Sequence, residues 1–202
     1  MNRTTLSALL GLALAAPAAQ AAESALSYTY VEVNYLDNES EIVSGVDLSM
    51  NGGGIHGSIA FGDSGFYGLA AYETVGEELG GVDFDVKRAT AGAGYALKID
   101  ERLHAIAEIA YVDYQFDVSG LGSDSADGYR ANIGLRGLMA DNIEGIAKIG
   151  YVKVEESGFT VFDGTVGELG FRWHIDKAWS AGLSTEIAED ETTYKLGLRL
   201  QW

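Results

Sequence analysis

From Ser27 to Trp202 the chain alternates between apolar and polar residues with a period of two, and no long stretch carries the period of an amphipathic helix. The final segment shows the pattern most plainly. Tyr194, Leu196, Leu198, Leu200 and Trp202 fall on one face, with Lys195, Gly197, Arg199 and Gln201 on the other. Ala131, Ile133 and Leu135 likewise oppose Arg130, Asn132, Gly134 and Arg136, while Leu169, Phe171 and Trp173 oppose Glu168, Gly170 and Arg172. The pattern predicts about ten strands, at 28–36, 53–61, 66–75, 84–97, 103–116, 129–140, 145–155, 164–174, 179–188 and 193–202. Each is close to the roughly 9–11 residues of a tilted membrane-spanning strand.

The connections alternate in length. Segments 62–65, 98–102, 140–144 and 175–178 are short, whereas 37–52, 76–83, 117–128, 156–163 and 189–192 are mostly longer and acidic. Short turns on one rim and longer loops on the other describe an all-β, single antiparallel up-and-down transmembrane barrel. Ten strands is the preferred count and eight the alternative, and an even number puts both ends of the barrel on the short-turn rim. Alternation alone does not say which face points inward. The aromatic residues bear on this: Phe61, Tyr67, Tyr95, Trp173, Trp179 and Trp202 fall near the short turns, and Tyr35, Tyr111, Tyr114, Phe116, Tyr129 and Tyr151 near the loops. Two aromatic rims with aliphatic residues between them fit the girdles of a membrane barrel, with the charged face inward.

Composition narrows the class. Asn2-Arg3, the apolar run Leu6–Ala16 and the small-x-small site Ala19-Gln20-Ala21 have the order of a cleaved secretory signal peptide. The expected domains are therefore a leader over 1–21, cut after Ala21 with Ala19 in the peptidase site, and a barrel over 22–202. With no Cys the barrel holds together without disulfides. The single Pro lies in the leader, which suits a chain of paired strands. The formal net charge is −17, which argues against nucleic acid as a partner.

In "KLGLRLQW", Lys195, Gly197, Leu200 and Trp202 occupy the places of a polar-x-Gly-x-x-apolar-x-aromatic ending. This ending resembles the C-terminal signal by which the barrel-assembly machinery recognises bacterial outer-membrane proteins. The chain beyond the leader resembles the small Gram-negative outer-membrane barrels, the OmpA/OmpX-like and porin-like superfamily. The phrases "LSYTYVEVNYL", "GGGIHGSIAFGDSGFYGLAAYE" and "EGIAKIGYVKVEESG" are similar to those of xanthomonad-type barrels. The resemblance implies an outer-membrane location and, as partners, outer-membrane lipids and lipopolysaccharide, with the assembly machinery and periplasmic chaperones during biogenesis. It implies no activity.

With the charged face inward, the lumen is expected to hold Glu32, Glu108, Glu168 and Glu186 with Arg88, Arg130, Arg136, Lys148, Arg172, Lys195 and Arg199. Buried charges are costly unless paired, so these should form an ion-pair network. About eight strands leave an interior just filled by side chains, and ten lies near that limit. Acidic residues such as Asp37, Glu39, Glu41 and Asp47 read as a solvated outer surface. "GSDSADG" (122–128) lacks the spacing of a calcium loop. His56 and Ser58 share a face, but no acidic partner for His56 stands out, although Glu32 is on the neighbouring strand. The expectation is a non-enzymatic envelope protein with a structural or surface-interaction role, requiring no cofactor or metal. The alternatives are a narrow porin-like channel for small polar or anionic solutes and, third, a barrel enzyme acting on lipid A or peptides.

Overall fold

The computed structural model describes residues 26–43, 46–79, 81–120, 122–156, 159–189 and 191–202. The expected leader, with Ala19 and Ala21, lies outside them. Ten strands are present: β1 Tyr30–Val43, β2 Val46–Ala60, β3 Phe66–Leu79, β4 Val82–Lys98, β5 Leu103–Val118, β6 Gly122–Ala140, β7 Ile143–Glu156, β8 Phe159–His174, β9 Trp179–Ile187 and β10 Glu191–Gln201. Each pairs antiparallel with its neighbours in sequence, and β10 returns to β1 to close the barrel. The closing ladder runs from Tyr30↔Gln201 to Ser40↔Glu191. Beyond it, the Trp202 N–H donates to the Thr29 carbonyl at 3.2 Å. Closure leaves no backbone edge to be satisfied in hydrocarbon.

All ten expected strands exist, but several are longer than their sequence pattern suggested. The segments taken as acidic loops are largely strand, joined by short connections on both rims. "GSDSADG" is the outer end of β6. The acidic residues interrupt the lipid-facing pattern, yet the period of two continues through them with its sense reversed.

Strand β5 shows the reversal. Ile109 and Tyr111 face outward, followed on the same face by Asp113, Gln115 and Asp117. Glu108 faces inward, followed by Val112, Tyr114 and Phe116 on that face. On β7, Ile149 and Tyr151 lead outward to Lys153 and Glu155, while Lys148 leads inward to Val152 and Val154. Below this boundary the sheet is a membrane barrel, apolar outside and charged inside. Above it, water replaces lipid and the sheet is a soluble barrel with an apolar core of Val112, Ala126, Val152, Val154 and Val166, against which Tyr114, Phe116 and Phe162 pack. The driving force is the same in both halves, namely keeping apolar surface out of water. Only the medium outside changes.

An outward ring of tyrosines marks the boundary: Tyr35, Tyr72, Tyr111, Tyr129, Tyr151 and Tyr194, each about half exposed. Phe61, Phe66, Tyr95, Trp173 and Trp179 form the opposite girdle. Three aromatics assigned to the girdles by sequence are not in them. Tyr67 points inward, 3% exposed, and Tyr114 and Phe116 belong to the upper core. Their place along the strand is right and their face is not, because the inner wall also takes rings where it needs volume. Between the girdles, Ile133 (64% exposed) and Leu196 (60%) typify the belt. In water, a continuous apolar belt of this kind would be an aggregation surface; in a bilayer it is matched by lipid tails.

A charge partition across the lumen

The period of two aims every second side chain inward, and in the lower half those side chains are charged. All eleven lumen residues expected from the sequence are engaged in ion pairs inside the barrel. Two further glutamates complete the set. Glu73 on β3 shares the parity of the inward Tyr67, the signal that would have placed it. Glu144 was assigned to a turn, whereas it lies within β7, 3% exposed and in phase with Lys148.

The pairs form four groups. At the short-turn end, Arg136 donates to both Glu144 oxygens (Nε–Oε1 2.8 Å, Nη2–Oε2 3.0 Å) and to the Ser27 carbonyl at 2.9 Å. His174 Nε2 lies 3.2 Å from Glu144 Oε2, and the Arg136 guanidinium lies over the Tyr28 ring. In the second group one Glu32 oxygen accepts from Arg172 at 2.8 Å and from Arg199 at 2.6 Å. Arg199 also stacks on Tyr30, 3.6 Å from the ring centroid. In the third, Glu108 accepts from Tyr67 at 2.8 Å and from Lys148 at 3.2 Å, and Lys148 reaches Glu168 at 3.1 Å.

The fourth group crosses the barrel. Arg88 on β4 donates through Nη1 to Glu186 on β9 at 2.9 Å, and these strands stand opposite one another in the ring of ten. Arg88 Nε donates to Glu73 at 2.7 Å, and Lys195 to Glu73 at 2.8 Å. Arg130 donates to Glu186 at 3.0 Å. Two carboxylates and three cations thereby form a partition where the charged half meets the apolar half. Tyr114 joins the two, packing on the apolar core while its hydroxyl lies 3.4 Å from Arg88 Nη1. The lumen is not solidly filled: a cavity of about 440 Å³ is lined by residues from both halves.

The histidine and serine singled out by the sequence bond to other partners rather than to each other. His56 stands opposite Glu32 in the β1–β2 ladder, but its Nε2 bonds elsewhere, 2.9 Å from Glu73 Oε1, and Ser58 donates to the Tyr28 carbonyl at 2.8 Å. His104 Nδ1 lies 3.1 Å from the Tyr28 hydroxyl. No group of ligating side chains suited to a metal occurs among the described residues. Of the C-terminal signal residues, Lys195 is part of the partition and Gly197 faces the lumen, where any Cβ would overlap Glu32 Oε1 and Asn34 Oδ1. Leu200 and Trp202 lie partly buried at the last turns of the closing ladder.

Outside the membrane-spanning part, electrostatics are local. Asp124 beside Glu156 raises the Glu156 carboxyl above its ordinary range. In the 175–178 turn, the Trp179 and Ala178 N–H groups both donate to Asp176 Oδ1 at 2.7 Å and lower its pKa.

No family model and no curated protein matches the sequence. Solved structures do match in fold. An outer membrane channel from Pseudomonas putida F1 superposes with a TM-score of 0.55 at 10% identity, over 92% of this chain and 99% of that one. The NanC porin gives 0.52 at 8% identity, over 85% and 100%. The β-domain of the Bordetella autotransporter BrkA gives 0.51 at 13%, over 87% and 100%. The fold is that of the outer-membrane β-barrels.

Proposed function

We propose that this is a non-enzymatic barrel of the Gram-negative outer membrane, with its short turns in the periplasm and its tyrosine-ringed upper half outside. Its role is structural or surface-interacting, and its lumen is closed to free ion flow. One observation carries this reading: the Arg88–Glu186 pair spans the lumen and is held on both sides by Glu73, Lys195 and Arg130. Opening such a partition means separating buried charges, which costs several kcal/mol per ion. The expected partners are outer-membrane lipids and lipopolysaccharide around the belt, with the barrel-assembly machinery and periplasmic chaperones acting during biogenesis. The test is single-channel recording on chain 22–202 refolded into planar bilayers. A silent membrane containing verified folded protein supports the closed barrel; steady conductance from the unaltered chain overturns it.

The second reading, a narrow channel for small polar or anionic solutes, draws on the cavity of about 440 Å³ lined by residues from both halves. It draws also on the NanC porin and the Pseudomonas putida channel, whose fold the chain shares. Anion-preferring steps altered by Arg88→Ala would favour it.

A further inference from the structure

The upper half of the lumen combines three features that structural closure does not need. First, its wall is apolar over a wide arc: Val112 and Phe116 of β5, Ala126 of β6, Val152 and Val154 of β7, and Phe162 and Val166 of β8 come from four consecutive strands. Second, the wall lines a space rather than filling it. The lumen cavity of about 440 Å³, its upper part lined by this wall and its lower part by charged residues down to Arg136 and Glu144, lies within the roughly 300–1,000 Å³ of small-molecule sites. The part walled by apolar side chains holds water poorly and takes apolar groups instead. Third, the apolar wall ends on a charged floor whose balance is positive. Across the described lumen, the seven cations Arg88, Arg130, Arg136, Lys148, Arg172, Lys195 and Arg199 face the six glutamates of the ion-pair groups. Glu191, which lines the same cavity at its rim, balances the lumen as a whole, so the excess of cations is local to the floor. In the floor itself Arg88, Arg130 and Lys195 share Glu73 and Glu186.

The barrel wall is also lowest beside this cavity. Strand β9 ends at Ile187 and β10 begins at Glu191, while β8 continues to Phe159 and β1 to Val43. The described β8–β9 ladder stops at Gly167↔Ile187, so the upper part of β8 stands above the β9–β10 turn without a β9 partner. The low point is flanked by Val161, Phe162 and Val166 of β8, with Ala188 and Glu191 at its base, all of which line the cavity. Exposed Phe159 and Val161 extend the apolar surface outward from it. An alkyl chain can thus pass from the outer rim of the membrane into the upper lumen along apolar side chains.

We propose that this upper lumen binds a single-chain amphiphile bearing one negative charge, a long-chain carboxylate or its equivalent. The chain lies along the Val112–Val152–Val154–Val166 wall and the head group meets Arg130 and Lys195 on the partition. The apolar wall supplies the affinity by removing chain methylenes from water, and the floor, where three cations share two carboxylates, supplies the preference for an anionic head through charge-assisted hydrogen bonds.

Methyl NMR of the refolded chain in phosphatidylcholine nanodiscs, titrated with dodecanoate, tests this. The expected result is a saturable shift of the Val112, Val152, Val154 and Val166 methyls. Dodecyltrimethylammonium, with the same chain and the opposite charge, should bind at least about tenfold more weakly. Arg130→Gln should weaken dodecanoate by a similar factor, and Val152→Phe, which fills the wall from within, should abolish the saturable shift. Shifts confined to outward methyls such as those of Leu196 and Leu198, rising without saturation, would mean bilayer partitioning only and would overturn the site. Equal binding of both head groups would overturn the role of the floor. Either result is independent of whether the lumen conducts.

Discussion

Arg88 Nη1 and Glu186 Oε1, 2.9 Å apart on strands that face each other across the ring, tie the barrel together along its diameter. Ladder hydrogen bonds hold each strand only to its neighbours. This pair, with Glu73 and Lys195, holds opposite walls at one separation and so sets the shape of the cavity around it.

Removing one partner should therefore be costly. Glu186→Ala leaves Arg88, Arg130 and Lys195 sharing Glu73 and should destabilise the barrel by roughly 3–5 kcal/mol, the range for breaking a buried pair. Replacing Arg88 and Glu186 together by Met and Leu should recover most of that loss. Urea unfolding in lipid vesicles measures both, and an additive double variant would show that the two residues are not coupled.

The inversion at the tyrosine ring predicts opposite responses on one face of the sheet. Ile133 lies in the lipid belt, and Ile133→Arg should cost ~2–4 kcal/mol if it sits near the midplane. Lys153, outward but above Tyr151, should accept a change to Glu with little effect. Inward Val154, 2% exposed, should lose about 1.5–3 kcal/mol on change to Ser, close to its burial energy. Vesicle-folding equilibria for the three variants decide the matter, and a tolerated Ile133→Arg would place the bilayer elsewhere.

Gly197 separates packing from recognition. A side chain there would displace the ends of Glu32 and Asn34, and Glu32 is held by Arg172 and Arg199, so Gly197→Val should slow folding into vesicles with no assembly factors present. The chain without Trp202, whose N–H donates to the Thr29 carbonyl and whose carbonyl accepts from Ser27 Oγ, should fold in vesicles yet reach the outer membrane poorly in cells. Normal cellular levels of the truncated chain would remove the C-terminal signal reading.

Asp176 makes a pH-dependent contribution at the short-turn rim. The N–H groups of Trp179 and Ala178 lower its pKa on folding, so the folded state favours the ionised carboxylate. The resulting stability is present above the ordinary aspartate range and is lost as pH falls through the folded pKa. Asp176→Ala should be the less stable form at neutral pH, with the difference from the unaltered chain closing on acidification. A difference independent of pH would assign the effect to turn shape alone.

Much of this architecture is legible in the chain because a strand's two faces are written in the parity of its residues. Parity placed all ten strands, grouped Lys195, Arg199, Arg130 and Arg136 on charged faces, and put Ile133 and Leu196 on apolar ones. It also carries Glu73, which is in phase with the inward Tyr67. What parity cannot supply is direction. The same alternation describes a barrel greasy outside and one greasy inside, and this protein is both, one above the other.

The sequence by itself thus determined the number of strands, the parity of their residues and most of the lumen's charges, since these depend on local period and composition. Only the tertiary structure decided where the faces exchange roles, that Glu144 belongs to the lumen and not to a turn, and that His56 meets Glu73 instead of Ser58. Those outcomes depend on register around a closed ring. Closure brings β4 against β9 and β3 within reach of β10, and contacts across a lumen leave no periodic trace along the chain.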